Sequence, residues 1–99
     1  MTTNLFVDPR QLRLPGGRLF GADPAKLQRQ ISRFGMSIDS LPPLLVTRGK
    51  NDELLLIDGV TRATRVAKLR PGCLVPVFVI DELLERDMSR FPTVGERLP

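Results

Sequence analysis

The stretch Leu54–Lys68, LLLIDGVTRATRVAK, decides how this chain is read. Leu54 to Ile57 is an apolar run of strand length. Asp58-Gly59 interrupts it, and a helical pattern starts at Val60 with Arg62 in its first turn. A strand, a glycine turn and a helix N-terminus together gather backbone N–H groups that have no intrahelical partner and direct them at one point. With a cation at the same place, a phosphate or carboxylate site is the chemistry to expect.

The position of Arg62 sharpens that expectation. At 3.6 residues per turn, Val60, Ala63, Val66, Ala67 and Leu69 fall on one side of the helix, and Thr61, Thr64, Arg65 and Lys68 on the other. Arg62 lies between Leu69 and Val66, on the apolar side. An inward guanidinium needs a carboxylate, backbone carbonyls or a bound anion, because burying its charge unpaired is prohibitive. The alternative to a ligand is a structural ion pair, with Asp58, Asp81 or Glu82 as partner. Arg65 and Lys68 read as ordinary solvated charges.

Composition sets the outer bounds. A chain of 99 residues with 41% hydrophobic and 26% charged residues reads as one ordinary globular domain over residues 1–99. No apolar run is long enough to span a membrane. The start, MTTNLFVDPRQ, carries no basic region followed by a long apolar stretch, so no secretory signal is expected. The single cysteine, Cys73, cannot form an internal disulfide, and a cytoplasmic, reducing location is the simpler reading. Histidine is absent, which removes histidine bases, Ser-His or Cys-His nucleophile pairs and histidine metal sites. With one cysteine a Cys-rich zinc site is excluded too. No metal ligand set is assigned.

The net charge of +4 is unevenly spread. Residues 1–50 hold eight Lys/Arg against three Asp/Glu, and residues 51–99 seven against eight. Arg10, Arg13, Arg18, Lys26, Arg29, Arg33, Arg48 and Lys50 make up the basic half. Such a bias suits contact with nucleic acid or another polyanion, and suits a solvated surface equally. Phe is the only aromatic residue, so base stacking would fall to Phe6, Phe20, Phe34, Phe78 or Phe91.

Along the chain, Leu5 to Val7 reads as a short strand and Leu12 to Leu14 as an extended piece before the Pro15-Gly16-Gly17 turn. Asp23-Pro24 opens a helix with a side-chain cap and proline at its first position; Leu27, Ile31 and Phe34 give it an apolar stripe and Gly35 ends it. Leu44 to Thr47 and Leu54 to Ile57, joined by Gly49 to Asp52, read as a hairpin. The helix from Gly59 to about Leu69 follows, then the Val75–Ile80 strand with Pro76 near its start. Asp81 is expected to cap a last helix bearing Leu83, Leu84 and Met88, and the tail from Phe91 to Pro99 to be irregular. The fold class is α+β, a small mixed sheet with about three helices. Leu55, Ile57, Val66, Ala67, Val77 and Val79 are the expected core. Asp58 has three roles open to it: holding Arg62, taking magnesium through water, or capping the helix, which general frequency favours.

The sequence PPLLVTR, then ELLLIDGVTRATRVAKL, then VPVFVIDE resembles the ParB-like N-terminal domain, which shares its fold with sulfiredoxin. The resemblance runs from about Leu5 to Glu82. Asp58-Gly59-Val60-Thr61-Arg62 matches the Gly-x-x-Arg signature of that superfamily. It implies a ParB/sulfiredoxin-like fold of the bacterial type and phosphate binding at Gly59, Thr61 and Arg62. The ligand it implies is a nucleotide, with magnesium as its companion, or a nucleic acid. Departures from the pattern bear on activity. Val60 stands where the nucleotide hydrolases of the family carry Glu and where sulfiredoxin carries its catalytic cysteine, and Thr61 stands where the hydrolases carry Arg. With histidine absent, an acid–base catalyst must be Asp, Glu, Lys or the lone Cys, and Asp58 is the best remaining candidate. A stand-alone small member without the helix-turn-helix domain, or a fragment of something longer, is expected, DNA-associated or regulatory. The competing functions are a metal-dependent nuclease, nucleotide hydrolase or phosphotransferase, and a protein-interaction module, with a protein partner or second copy, in which Arg62 is structural.

Overall fold

The β-branched run VPVFVI makes the strand on which the sheet is built. The computed structural model describes residues 3–99. Its strands are β1 (Thr3–Val7), β2 (Leu44–Arg48), β3 (Leu54–Asp58) and β4 (Val75–Glu82), in the order β1-β4-β2-β3. β2 and β3 form the expected antiparallel hairpin. β4 lies antiparallel to β1 and parallel to β2. A parallel neighbour requires a crossover. Helix α2 (Val60–Leu69), leaving the end of β3, supplies it. Pro76 is the second residue of β4, opposite Phe6.

Helix α1 (Pro24–Phe34) keeps the boundaries its caps dictate. The Asp23 carboxylate accepts from the Ala25 N–H at 3.2 Å, Pro24 takes the first position, and the Gly35 N–H closes the last turn on Ile31 O. Leu44, Val46, Leu56, Val75, Val77 and Val79 of the sheet pack with Ala63, Val66 and Ala67 of α2 as the core. Leu12 and Leu14 join them: Arg13 between them donates to Leu54 O, and its own carbonyl accepts from Leu56 N–H, so this piece runs alongside β3. The tail is tied down as well. Leu14 N–H donates to Pro92 O, Val94 N–H to Leu12 O, and Val94 is buried.

Four expectations are corrected. No helix follows Asp81: β4 continues to Glu82, where Thr47 and Arg48 offer partners, and the Leu83 N–H then donates to Arg48 O. The described residues form two α-helices, not three, and short 3-10 turns at Pro9–Gln11, Gly16–Arg18 and Gly95–Arg97. Met88 is buried, from a loop. On β3 the inward residue is Leu56, opposite Val46; Leu55 is half-buried and Ile57 is 53% exposed. An irregularity in pairing at Leu45/Val46 sets Asp58 opposite Leu45 and leaves Ile57 without a partner. On α2, five consecutive residues from Ala63 to Ala67 are buried, Thr64 and Arg65 included. The helix is enclosed by the sheet, by α1 and by the loop after α1, so it has no wide polar face. Among the described residues, no helix is long and apolar enough to cross a membrane.

Candidate functional site

The hairpin delivers Asp58 to the edge of the sheet, and Gly59 turns the chain into α2. Gly59 has φ +102° and ψ 21°, the left-handed region that glycine enters without steric cost. Its position is closed on the side-chain direction as well. A Cβ there would collide with Leu44 Cδ2 and stand 2.9 Å from Arg62 Nη2. Local geometry and packing thus both demand glycine.

No side chain caps the N-terminus of α2. Asp58 therefore does not play the capping role expected of it. Gly59 intervenes as the residue before the helix, and the Asp58 carboxylate instead meets Arg62, Oδ2 to Nη2 at 3.4 Å. The carboxylate is 66% exposed and the guanidinium side chain 22%. This is a long, half-solvated contact, of a kind worth at most about 1 kcal/mol. Arg62 Nε is buried and has no hydrogen-bond partner. Of the three carboxylates considered for Arg62, Asp58 is the one in contact. Asp81 accepts from the Glu82 N–H at the end of β4. Glu82 is exposed at the end of β4, opposite Arg48 of β2.

A cleft of about 340 Å³ opens over this turn. Asp58, Gly59, Val60, Thr61 and Arg62 form one wall, and Pro15, Arg18, Lys26 and Gln30 another. Three elements thus bring cations to one place: Arg62 from α2, Lys26 from α1, and Arg18 from the 3-10 turn before α1. Asp58 is the one carboxylate in the lining. Gln30 Oε1, also in the lining, is buried without a partner. Asp58, Gly59, Thr61 and Arg62, the residues singled out in the sequence, all line this cleft. Arg18, Lys26 and Gln30 are additions. The signal for them was the excess of cations in the first half of the chain, which gave no hint of which ones converge.

Arg65 corrects the sequence reading most sharply. It is 2% exposed, and its Nη1 donates to Gly35 O and Ser37 O, both at 2.8 Å. Its guanidinium lies 5.3 Å from the centre of the Phe34 ring. Burial pushes its pKa down; the two carbonyls and the ring face offset part of the lost water, while its Nε is buried without a partner. Arg65 ties α2 to the loop after α1. Cys73 is half-buried and does not line the cleft.

Chemically, the cleft offers three cationic side chains and an uncapped helix N-terminus to an anion, with one exposed carboxylate. Among the described residues, no group of three or more His, Cys, Asp or Glu side chains is placed to hold a metal ion. Compared with known proteins, the chain matches no family model, and no curated protein sequence matches it.

Proposed function

We propose that this chain is a ParB-like domain that binds a phosphate-bearing ligand, a nucleotide or a nucleic acid, in the cleft at the N-terminus of α2, in a DNA-associated or regulatory role inside the cell. The observation that carries this reading is the state of Arg62. Its guanidinium lies in the cleft wall with a buried, unpartnered Nε and a single long contact to an exposed carboxylate. The structural Arg65 also leaves its Nε unpartnered, but its Nη1 is taken by two carbonyls at 2.8 Å; Arg62 has only the 3.4 Å contact and so retains donors for an incoming oxyanion. Arg18 and Lys26 face the same space, and the helix N-terminus adds its own attraction for negative charge. The element order, a helix, a hairpin, the Gly-x-x-Arg helix and a strand, agrees with the stretch of sequence on which the ParB resemblance rests and so supports the reading. The lining offers a single carboxylate, and Val60 supplies no acid, so binding is favoured over hydrolysis.

The test is a thermal-shift and calorimetric comparison of wild type and Arg62→Ala with pyrophosphate and with nucleoside triphosphates, each with and without magnesium. Wild type should be stabilised, and the variant should lose about 1.5–3 kcal/mol of binding free energy. Equal binding by both proteins, or by neither, overturns the proposal.

A further inference from the structure

We propose that the cleft is one end of a track for single-stranded nucleic acid, with Phe20 as a stacking platform for an unpaired base. This rests on the phosphate reading of the cleft and extends it from one phosphate to a chain of them. Lys26, Gln30 and Thr61 line the cleft and also line a second groove that continues along α1 past Arg29 to Arg33. Lys26, Arg29 and Arg33 stand at i, i+3 and i+7, on one helix face, and all three are exposed. The helical rise puts Lys26 and Arg33 roughly 10 Å apart along the axis, further than one phosphate group reaches. No carboxylate lines this second groove. A lone nucleotide in the cleft would leave Arg29 and Arg33 idle, whereas a polyanion engages every cation from Arg62 to Arg33.

The aromatic ends of the track distinguish a single strand from a duplex. Arg18 lines the cleft and also a depression beside it that holds Phe20 and Asp23. The Asp23 carboxylate is occupied in capping α1. Phe20 is 93% exposed, yet its turn is pinned on both sides. Arg18 N–H donates to Pro15 O, Gly21 N–H to Arg18 O, and Arg97 Nε to Leu19 O. Gly21, at φ +101°, packs so closely on Arg97 that a Cβ would sit 3.0 Å from its carbonyl oxygen. The ring is thus held in water by an ordered turn, at a cost in apolar exposure. A base stacked on it would remove that cost, and every base offers a face for stacking. At the other end Phe34, 42% exposed, carries the Arg33 guanidinium 5.2 Å from its ring centre. A duplex keeps its base faces covered and could use only the cations.

Fluorescence anisotropy with a labelled oligothymidylate, a duplex of equal length and a salt series tests this. The full chain should bind the single strand more tightly than the duplex. Arg29→Ala/Arg33→Ala should weaken binding by about tenfold and flatten its salt dependence. Phe20→Ala should weaken it by about tenfold with the salt slope unchanged. All three residues are exposed, and thermal melting checks that the variants fold. Duplex binding as tight as that of the strand, or Phe20→Ala binding like wild type, overturns the inference. If pyrophosphate stabilises the protein but the strand does not bind, this inference falls and the cleft reading stands. If neither binds, both fall.

Discussion

The Leu44 side chain fills the space into which any side chain at Gly59 would project. Leu44 is wholly buried in the first residue of β2, and Gly59 is the hinge between β3 and α2. The contact means that the turn presenting Arg62 is set from within the core. Gly59→Ala meets both a left-handed backbone and this collision. We expect a loss of roughly 2–4 kcal/mol, from backbone strain and overpacking together, read from urea unfolding. A loss below about 1 kcal/mol, the cost of the glycine-to-alanine change at a strained φ alone, would show that Leu44 yields freely.

Arg65 gives a second prediction. Arg65→Ala takes the donor from the half-buried Gly35 carbonyl and from the Ser37 carbonyl and opens a gap beside Phe34. The expected cost is about 3–5 kcal/mol, larger than for any exposed arginine of α1. Arg65→Lys should recover only part of it, since one ammonium lacks the planar fork. Chemical denaturation of the two variants beside Arg29→Ala checks the order.

The contrast between Arg65 and Arg62 shows what the sequence could tell. Features fixed by near neighbours were legible: the Asp23-Pro24 start and Gly35 stop of α1, the hairpin, and the Asp58-Gly59 turn into α2. Features fixed across the chain were not. The partners of Arg65 lie some thirty residues away, so helical periodicity alone placed it in solvent. Leu54 to Ile57 has no alternation to reveal its inner face, and register with β2 decides for Leu56. The residues after Asp81 have helical spacing, but pairing with Thr47 and Arg48 extends the strand instead. Half of the site was likewise legible. Gly59, Thr61 and Arg62 share one turn, while Arg18 and Lys26 arrive through the packing of α1.

Acid should loosen the hairpin turn. Burial alone would push the Glu53 carboxyl up, but its own N–H, the N–H groups of Asn51 and Met88 and the Asn51 amide together hold it below its ordinary 4.5. Because the folded value is depressed, the stabilisation is present above pH 4.5 and is lost as pH falls through the folded value. Asp8, bound by Arg10, and Glu96, bound by Thr93, are depressed as well and act in the same direction. Glu53→Gln should lower the melting temperature at neutral pH and flatten its decline in acid. A variant whose melting temperature parallels that of wild type at every pH would show that Glu53 contributes nothing to this dependence.

Asp58 separates binding from catalysis. It is the single carboxylate in the cleft lining and contacts Arg62 at 3.4 Å. If the cleft is a binding site, Asp58 competes with the ligand for Arg62, and Asp58→Asn should tighten pyrophosphate or strand binding. The gain is bounded by the worth of an exposed ion pair, so about two- to fivefold is expected. If Asp58 instead positions metal or water for hydrolysis, the same substitution should abolish a metal-dependent turnover that wild type performs. With Val60 beside it and no second carboxylate in the lining, we expect no robust turnover of nucleotide, DNA or RNA by wild type. Parallel measurement of affinity and of product release, with and without magnesium, decides the matter. Turnover that vanishes in Asp58→Asn would replace the binding module with an enzyme.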